Sequence, residues 1–131
     1  MKKLRGYIFS RKFFGERVPQ HIQNQIIRKF CEINNLEYSL SASEYAMKES
    51  YLMLEEIINE KSNLDGIVFY SLFQLPENKI YRNNIFKNII KRKKKIFFSV
   101  ENYKLSKKDD ILELEEIWDV KSILPNCYKG F

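Results

Sequence analysis

Short apolar segments alternate with amphipathic segments along the chain, and this order restricts the possible folds more than any other feature. Four short segments are rich in apolar and aromatic residues, which favours β-strands at 4–9, 36–40, 67–72 and 96–100. The third segment is apolar on both faces, as expected of a central parallel strand that helices cover on both sides.

The intervening segments carry apolar residues three and four positions apart, which is the spacing of one helix face. This spacing predicts helices over 19–34, from Tyr51 to about Lys61, over 78–94, and from Asp109 to Pro125. Pro19 suits a first helical position, where its missing N–H would have no partner, and Pro125 is expected to end the last helix. The βαβαβαβα order predicts a small three-layer αβα fold with a mostly parallel, four-stranded sheet, flavodoxin-like or resolvase-like.

The composition is that of one soluble domain. The chain has 131 residues, of which 44% are apolar and 31% charged, so we expect a single α/β domain spanning 1–131. Its apolar runs fall well short of the ~20 residues that a membrane span needs, and no long apolar stretch follows Met1 to Arg5 as in a signal peptide. We therefore expect a cytoplasmic protein without membrane association.

Metal and cofactor sites are not expected. The two cysteines, Cys31 and Cys127, are far apart and have no histidine beside them, which favours reduced thiols over a metal site. The sequence contains neither a Walker loop nor a GxGxxG motif, so an ordinary triphosphate or dinucleotide site is not expected either.

Most of the formal charge of +6 comes from one run, Lys91 to Lys95, in which all five residues are cationic. We interpret this run as a solvated helix terminus, because cations are favoured at the negative end of a helix dipole. The alternative is a nucleic-acid-binding patch, which predicts a steep salt dependence of binding to duplex DNA. We favour the solvated helix terminus, so nucleic acid is not the partner that we expect.

A ligand site is expected beyond the carboxyl ends of the strands, where open parallel sheets bind their ligands. We predict that nine residues of the loops there bind the substrate: Arg11, Arg17, Gln20, Ser41, Tyr45, Tyr70, Ser71, Gln74 and Glu101. Arg11 and Arg17 flank a predicted helix N-terminus, a combination that favours a phosphate or a carboxylate. Alternatively, one of these arginines pairs with Glu16 or Glu44 and only fixes the loop.

Three residues at this edge are candidates for catalysis. His21, the only histidine, lies in the first turn of a predicted helix, whose dipole favours a neutral ring that acts as an acid or a base. Glu44 is a second candidate acid or base, because a carboxylate at a strand end is expected to be partly buried. Ser10 is a candidate nucleophile, although no Ser-His-Asp order supports it. A lone histidine is more often structural than catalytic, so that alternative stays open.

Aromatic residues also collect near this edge: Tyr45, Tyr51, Tyr70, Phe73 and Tyr103. In one interpretation their rings provide stacking surface for a sugar or a base. In the other, about half of them fill the core.

Four strings of residues resemble a known protein family. They span 5–11, 15–24, 40–47 and 65–76. In these strings the chain resembles the sporadic carbohydrate cluster proteins, which are associated with bacterial clusters for lipopolysaccharide, O-antigen or capsule synthesis. The resemblance covers most of the chain to about Glu101 and implies a pathway, not a reaction.

More distantly, the layout is similar to the catalytic domain of serine recombinases, the resolvases and invertases. The shared features are a first strand ending near Ser10 and Arg11, a Gln-rich helix entry, and an apolar third strand that begins at Asp65. The chain departs from that pattern where Ser10 precedes Arg11, where no Ser-Gly follows strand two, and where 72–75 (Leu-Phe-Gln-Leu) replaces a charged loop. This resemblance therefore implies the fold and not strand exchange.

These observations lead to a functional hypothesis: a small metal-independent enzyme of surface-polysaccharide synthesis that acts on a phosphorylated or nucleotide-activated sugar. Its expected partner is a sugar phosphate or a nucleotide sugar. The first alternative is a non-enzymatic ligand-sensing or accessory subunit, whose C-terminal helix with Trp118 docks a pathway enzyme or a second copy. The second and less expected alternative is a resolvase-like DNA-binding domain.

Overall fold

The computed structural model describes residues 2–10, 12–13, 17–44, 50–60 and 64–128, with side chains as far as Lys121. Within these residues, five strands form one sheet: β1 (Lys3–Ile8), β2 (Glu37–Ser43), β3 (Gly66–Phe69), β4 (Lys95–Phe98) and β5 (Tyr103–Leu105). The same residues contain four α-helices: α1 (Gln20–Ile33), α2 (Leu52–Asn59), α3 (Lys79–Lys91) and α4 (Lys108–Tyr128). None of the described helices combines the length and the apolar character needed to cross a lipid bilayer.

The strand order across the sheet is β2-β1-β3-β4-β5. β1 pairs in parallel with β2 and β3, and β3 pairs in parallel with β4, so the predicted mostly parallel αβα fold is confirmed. The predicted number of four strands is wrong, because β5 pairs antiparallel with β4. A strand of three residues carries no periodic signal, which is why the sequence pattern does not reveal it. Asn102 in the preceding turn has a φ of 52°, a left-handed conformation that asparagine tolerates better than most residues.

Three predicted boundaries differ from the structure. β2 includes Ser41, which the sequence pattern places in a loop. β3 ends at Phe69, and a short 3-10 turn, Leu72–Gln74, follows it. The bounds of α4 pass Pro125, where the pattern predicts its end, because a proline removes a single backbone donor and a kinked helix can continue beyond it.

Helices cover both faces of the sheet, unequally. Among the described residues, α1 covers one face, where Ile27 and Cys31 belong to the same apolar cluster as Val68 and Phe97. The helices α2, α3 and α4 cover the other face and form the larger cluster. Burial raises the pKa of the Cys31 thiol to about 11, so this cysteine stays protonated at neutral pH.

Two strands approach closely at Gly6, which requires a residue without a side chain. A Cβ atom at this position would lie 2.2 Å from the Ser41 Oγ and 3.1 Å from the Tyr38 ring. Those two side chains share a hydrogen bond of 2.5 Å, and both hydroxyls contact the Asn24 Oδ1 of α1 at 2.7 and 3.1 Å. Gly6 therefore lets a polar network of α1 and β2 lie against β1.

A buried ion pair joins α3 to α4. Arg82 is 2% exposed, and its guanidinium donates two hydrogen bonds of 2.7 Å to the Glu115 carboxylate. Its third nitrogen donates to the carbonyl oxygens of Pro76 and Glu77, at 2.9 and 3.0 Å. The Arg82 Cζ also lies 3.9 Å from the centroid of the Trp118 ring, a cation–π contact. Arg82 lies on α3, and its contacts attach both α4 and the segment before α3 to that helix.

Arg82→Met is expected to lower the free energy of unfolding by about 3–5 kcal/mol, because it leaves the Glu115 carboxylate buried without its counter-ion. The double variant Arg82→Met/Glu115→Leu should recover most of that loss, since it removes the buried charge as well. Chemical denaturation measures both. The control is Arg5→Met, which breaks a half-exposed pair with Glu60 and should cost about 1 kcal/mol or less. Equal losses for Arg82→Met and Arg5→Met would contradict the prediction.

Candidate functional site

The strand order of the sheet reverses between β1 and β3. The chain leaves β1 through α1 toward β2 on one side, and it leaves β3 through α3 toward β4 on the other. Because the two connections run in opposite directions, they leave a crevice beyond the carboxyl ends of these strands, where open α/β sheets bind ligands. The candidate site therefore lies between the segment after β1 and the segment after β3.

A cavity of about 380 Å³ occupies this crevice, and we call it the switch-point cleft. Among the described residues, five aromatic side chains line it: Phe9, Phe13, Tyr51, Phe73 and Tyr81. Phe9 and Phe13 are buried, with ring centroids 5.5 Å apart, and form its inner wall. Tyr51 and Tyr81 are half-buried and meet edge to face at 5.7 Å. The described lining of the cleft is thus mainly aromatic, and it includes Tyr51 and Phe73 from the aromatic residues predicted near this edge.

Lys12, Glu77 and Asn78 are the polar non-aromatic side chains among the described lining residues, and all three are exposed. The Asn78 Oδ1 caps α3 by accepting the Tyr81 N–H at 2.9 Å. The Tyr81 hydroxyl donates to the Glu55 carboxylate, and burial together with Glu55 raises the pKa of Tyr81 well above its usual value. Tyr81 is therefore a neutral phenol at physiological pH.

Gln74, a predicted binding residue, is fully buried beneath this cleft region in a pair of side-chain amides. Its Nε2 donates to the Gln23 Oε1 at 2.8 Å, and the Gln23 Nε2 donates to the carbonyl oxygens of Phe9 and Val18, each at 2.8 Å. The pair joins α1, the end of β1 and the turn after β3. Sequence reasoning missed Gln23, although its position four residues before Ile27, on the apolar face of α1, was the available signal.

Ser71 and Glu101 hold the start of the 3-10 turn. The Ser71 hydroxyl and the Leu72 N–H donate to the Glu101 carboxylate at 2.9 and 2.8 Å. The Ser71 N–H donates to the Gln74 Oε1 at 3.2 Å, which links this group to the amide pair. Burial raises the pKa of Glu101, and the hydrogen bonds from Leu72 and Ser71 oppose that rise. Three predicted binding residues are thus brought together, in contacts that support a turn.

Glu44 is 4% exposed and caps the N-terminus of α2. Its carboxylate accepts the Met53 and Leu54 N–H groups, both at 3.1 Å. It also accepts the hydroxyls of Tyr7 at 2.9 Å and Ser50 at 3.3 Å. The burial expected from the sequence is therefore observed, while the role of Glu44 as an acid or base stays a prediction.

Three further predicted binding residues do not line the described part of the cleft. Ser41 belongs to the polar network beside Gly6. Tyr70 is half-buried and meets Phe13 edge to face at 6.1 Å. Gln20 is half-buried and begins α1.

The remaining candidates are exposed or lie outside the described residues. Ser10 is exposed after the end of β1, and Arg17 and His21 are exposed on either side of the start of α1. Arg11 and Tyr45 lie outside the described residues. The binding of an anion between Arg11 and Arg17 therefore stays a prediction.

A second candidate surface lies at the opposite, amino-terminal edge of the sheet. Lys2 precedes β1, Lys95 begins β4, and Lys104 lies in β5 opposite Phe97. Contact with the Lys2 ammonium, then burial and the charges of Lys2 and Lys104 lower the pKa of Lys95, against the opposing effect of Asp65. We call Lys2, Lys95 and Lys104 the lysine cluster. Sequence reasoning missed Lys2 and Lys104, because only the register of the strands brings them to Lys95.

The other members of the run 91–95 have different roles. Lys91 lies in the last turn of α3, where a cation is favoured by the helix dipole. Arg92 donates to the Asn59 Oδ1 at 3.0 Å, and Lys94 donates to the Glu60 carbonyl at 3.2 Å. These two contacts fasten the turn between α3 and β4 to the end of α2.

The raised pKa of Glu101 makes a prediction about stability and pH. Above its ordinary value of 4.5 and below its higher folded value, the folded chain binds more protons than the unfolded chain. The free energy of unfolding then falls as pH rises through this window. Glu101→Gln removes this dependence, so its stability relative to the unsubstituted protein should rise with pH from about 4.5 and then level off.

Thermal or chemical denaturation across pH 4–8 measures that difference. Glu56→Gln, at an exposed position of α2, is the matched control for the loss of one carboxylate. A flat difference for Glu101→Gln would show that the Glu101 carboxylate does not titrate as described.

The comparisons with known proteins show a fold and not a family. The chain matches no protein-family model and, in sequence, no curated protein. A resolvase family site-specific recombinase from Streptococcus pneumoniae has a similar structure, with a TM-score of 0.60 and 13% identity over 97% of this chain and 95% of that one. The N-terminal catalytic domain of TP901-1 integrase is also similar, with a TM-score of 0.58 and 17% identity over 96% of this chain and 97% of that one.

These structural neighbours correct the functional hypothesis. They are recombinase and integrase domains, so the prediction of a polysaccharide enzyme acting on a sugar phosphate or nucleotide sugar is wrong. The expectation that nucleic acid is an improbable partner is overturned for the same reason, and the resemblance to sporadic carbohydrate cluster proteins finds no support. The chain has the fold of the resolvase catalytic domains.

Proposed function

We propose that this chain is a DNA-binding domain with the resolvase fold, and that the lysine cluster holds the phosphate backbone of a duplex. The similarity to a site-specific recombinase and an integrase supports DNA as the partner, because both names denote reactions on DNA. The lysine cluster supports this particular surface, because Lys2 and Lys104 line one groove and Lys95 begins β4, and it is the observation that carries the proposal.

The lysine cluster concentrates positive charge at one place on the surface. Lys2 and Lys104 line one groove and Lys95 begins β4, while Asp65 acts on Lys95 in the opposite sense. The Asp65 carboxylate already accepts the Lys3 N–H at 2.8 Å. Like charges held together reduce stability, and such departures from local stability rules are expected where a ligand of opposite charge binds. A row of phosphates supplies that charge.

The chemistry of this surface suits a phosphate backbone better than a base edge. A shallow groove of about 450 Å³ lies beside the lysine cluster and is lined by Lys2, Lys104, Asn34, Asn35 and Phe97, among others. Lysines act on phosphates as point charges and carry no sequence information by themselves. We therefore expect binding that depends on salt and little on DNA sequence.

The proposal is binding and not strand cleavage. A serine that attacks a phosphodiester needs cations around the phosphate to stabilise the charge that develops. The described lining of the cleft beyond β1 consists of five aromatic side chains and several other residues, among which Lys12 is the cation. Ser10 is exposed nearby, and the proposed binding does not require its hydroxyl.

Lys104→Gln is expected to weaken duplex binding several-fold and to reduce the slope of log K against log [salt] by about one. The unsubstituted protein should show a slope of about −3, since each of three neutralised phosphates contributes about −0.9. Lys104→Arg keeps the charge and should retain the slope. Fluorescence anisotropy of a labelled duplex between 25 and about 200 mM salt, a range over which such contacts change affinity strongly, measures all three.

Two matched controls separate this surface from general basicity. Lys87→Gln removes an exposed lysine of α3 and should leave affinity and slope nearly unchanged, as should Ser10→Ala. Salt-independent binding, or equal losses for Lys104→Gln and Lys87→Gln, would refute the proposal. The Lys104→Gln variant should also unfold at the same or a slightly higher temperature, because it relieves repulsion within the lysine cluster.

A further inference from the structure

We propose that the switch-point cleft binds a nucleobase together with its phosphate, supplied either by a mononucleotide or by one nucleotide of a single strand. This inference does not rest on the proposed function, because the lysine cluster lies at the opposite edge of the sheet. It rests on the aromatic lining of the cleft, on its charges and on its size.

The aromatic side chains of the cleft are held in place by their neighbours. Phe73 is half-buried, and its ring centroid lies 5.3 Å from that of Trp118. Trp118 in turn packs on the Arg82 guanidinium at 3.9 Å. Tyr51 and Tyr81 fix each other edge to face at 5.7 Å. Ordered aromatic rings at a cleft are the usual stacking partners of bases.

The rim of the cleft carries two exposed side chains of opposite charge, Lys12 and Glu77. This pair fits a ligand with an anionic end and a hydrogen-bond-donating end, as in a nucleotide whose base has an exocyclic amino group. The Asn78 Oδ1 accepts the Tyr81 N–H at the start of α3. The N–H groups of Lys79 and Ile80 also lie in this first turn, where a helix has no internal partners for them. These amides add to the positive potential that Lys12 provides for a phosphate.

The size of the cleft favours one nucleotide. Its volume of about 380 Å³ is near the lower end of the range for ligand sites, about 300–1,000 Å³. Lys12 is the cation among its described lining residues, which suits a monophosphate better than a triphosphate. Its place at the reversal of strand order is where doubly wound sheets hold such ligands.

The experiment is a titration of the full chain with AMP, adenosine, UMP and a short single-stranded oligo(dA). Binding is followed by calorimetry and by the emission of Trp118, the only tryptophan, which contacts Phe73. We expect saturable binding of AMP, weaker binding of adenosine and of UMP, and a change in Trp118 emission. Tighter binding of oligo(dA) than of AMP, retained in Lys104→Gln, assigns the base to a single strand, and the reverse assigns it to a free nucleotide.

Two variants test the parts of the site separately. Phe73→Leu removes a stacking ring and should weaken AMP and adenosine about tenfold. Lys12→Gln, at an exposed position where folding is not affected, should weaken AMP several-fold and leave adenosine unchanged. Lys104→Gln is the control and should bind AMP as the unsubstituted protein does.

Three results would overturn the proposal. The first is no saturable binding of either AMP or oligo(dA) by the unsubstituted protein. The second is Lys12→Gln binding AMP as tightly as the unsubstituted protein. The third is loss of AMP binding in Lys104→Gln with retention in Lys12→Gln, which would place the ligand on the lysine cluster. The first two results do not bear on duplex binding, and the third would support phosphate binding by the lysine cluster, so failure here and failure of the proposed function are distinguishable.

Discussion

The buried guanidinium of Arg82 fixes the relative positions of three parts of the molecule. It neutralises Glu115 of α4, binds the carbonyl oxygens of Pro76 and Glu77, and lies against Trp118. A guanidinium can do this because its donors point in fixed directions within one plane. The wall of the switch-point cleft that Phe73 and Glu77 form is attached to these same contacts, so the shape of the cleft depends on a charge that lies behind it.

Two carboxylates at the strand ends, Glu44 and Glu101, accept hydrogen bonds from backbone N–H groups. Glu44 binds two N–H groups at the start of α2, and Glu101 binds the Leu72 N–H at the 3-10 turn. Each replaces water at a place where a chain leaving the sheet has unpaired donors. A carboxylate at a strand end can therefore resemble a catalytic residue by its type and position while its contacts are those of a structural cap. The polar residues at the strand ends are real features of the fold, but much of their hydrogen bonding is directed inward.

The fold was largely predictable from the sequence, and the surfaces were not. The periodicity of segments such as Ile22 to Ile33 is local information, and it predicts helices and the parallel crossovers between strands. The lysine cluster depends on how the starts of β1 and β4 are aligned across β3 and on the pairing of β4 with β5, and β5 itself has no sequence signal. The aromatic lining of the cleft was predictable only in part, since the sequence positions of Tyr51 and Phe73 fit stacking on a ligand and packing in the core equally well. Which of the two applies depends on burial, and burial depends on the assembled sheet.

The short antiparallel strand β5 has a consequence for how copies of the chain meet. Without it, β4 would be the edge of the sheet, and its apolar residues Ile96, Phe97 and Phe98 would offer unpaired backbone groups to another molecule. β5 occupies that edge with three residues, one of them the charged Lys104, and is too brief to template a neighbouring strand. It therefore acts as a terminator of strand addition, and it protects the protein from edge-to-edge aggregation on this side.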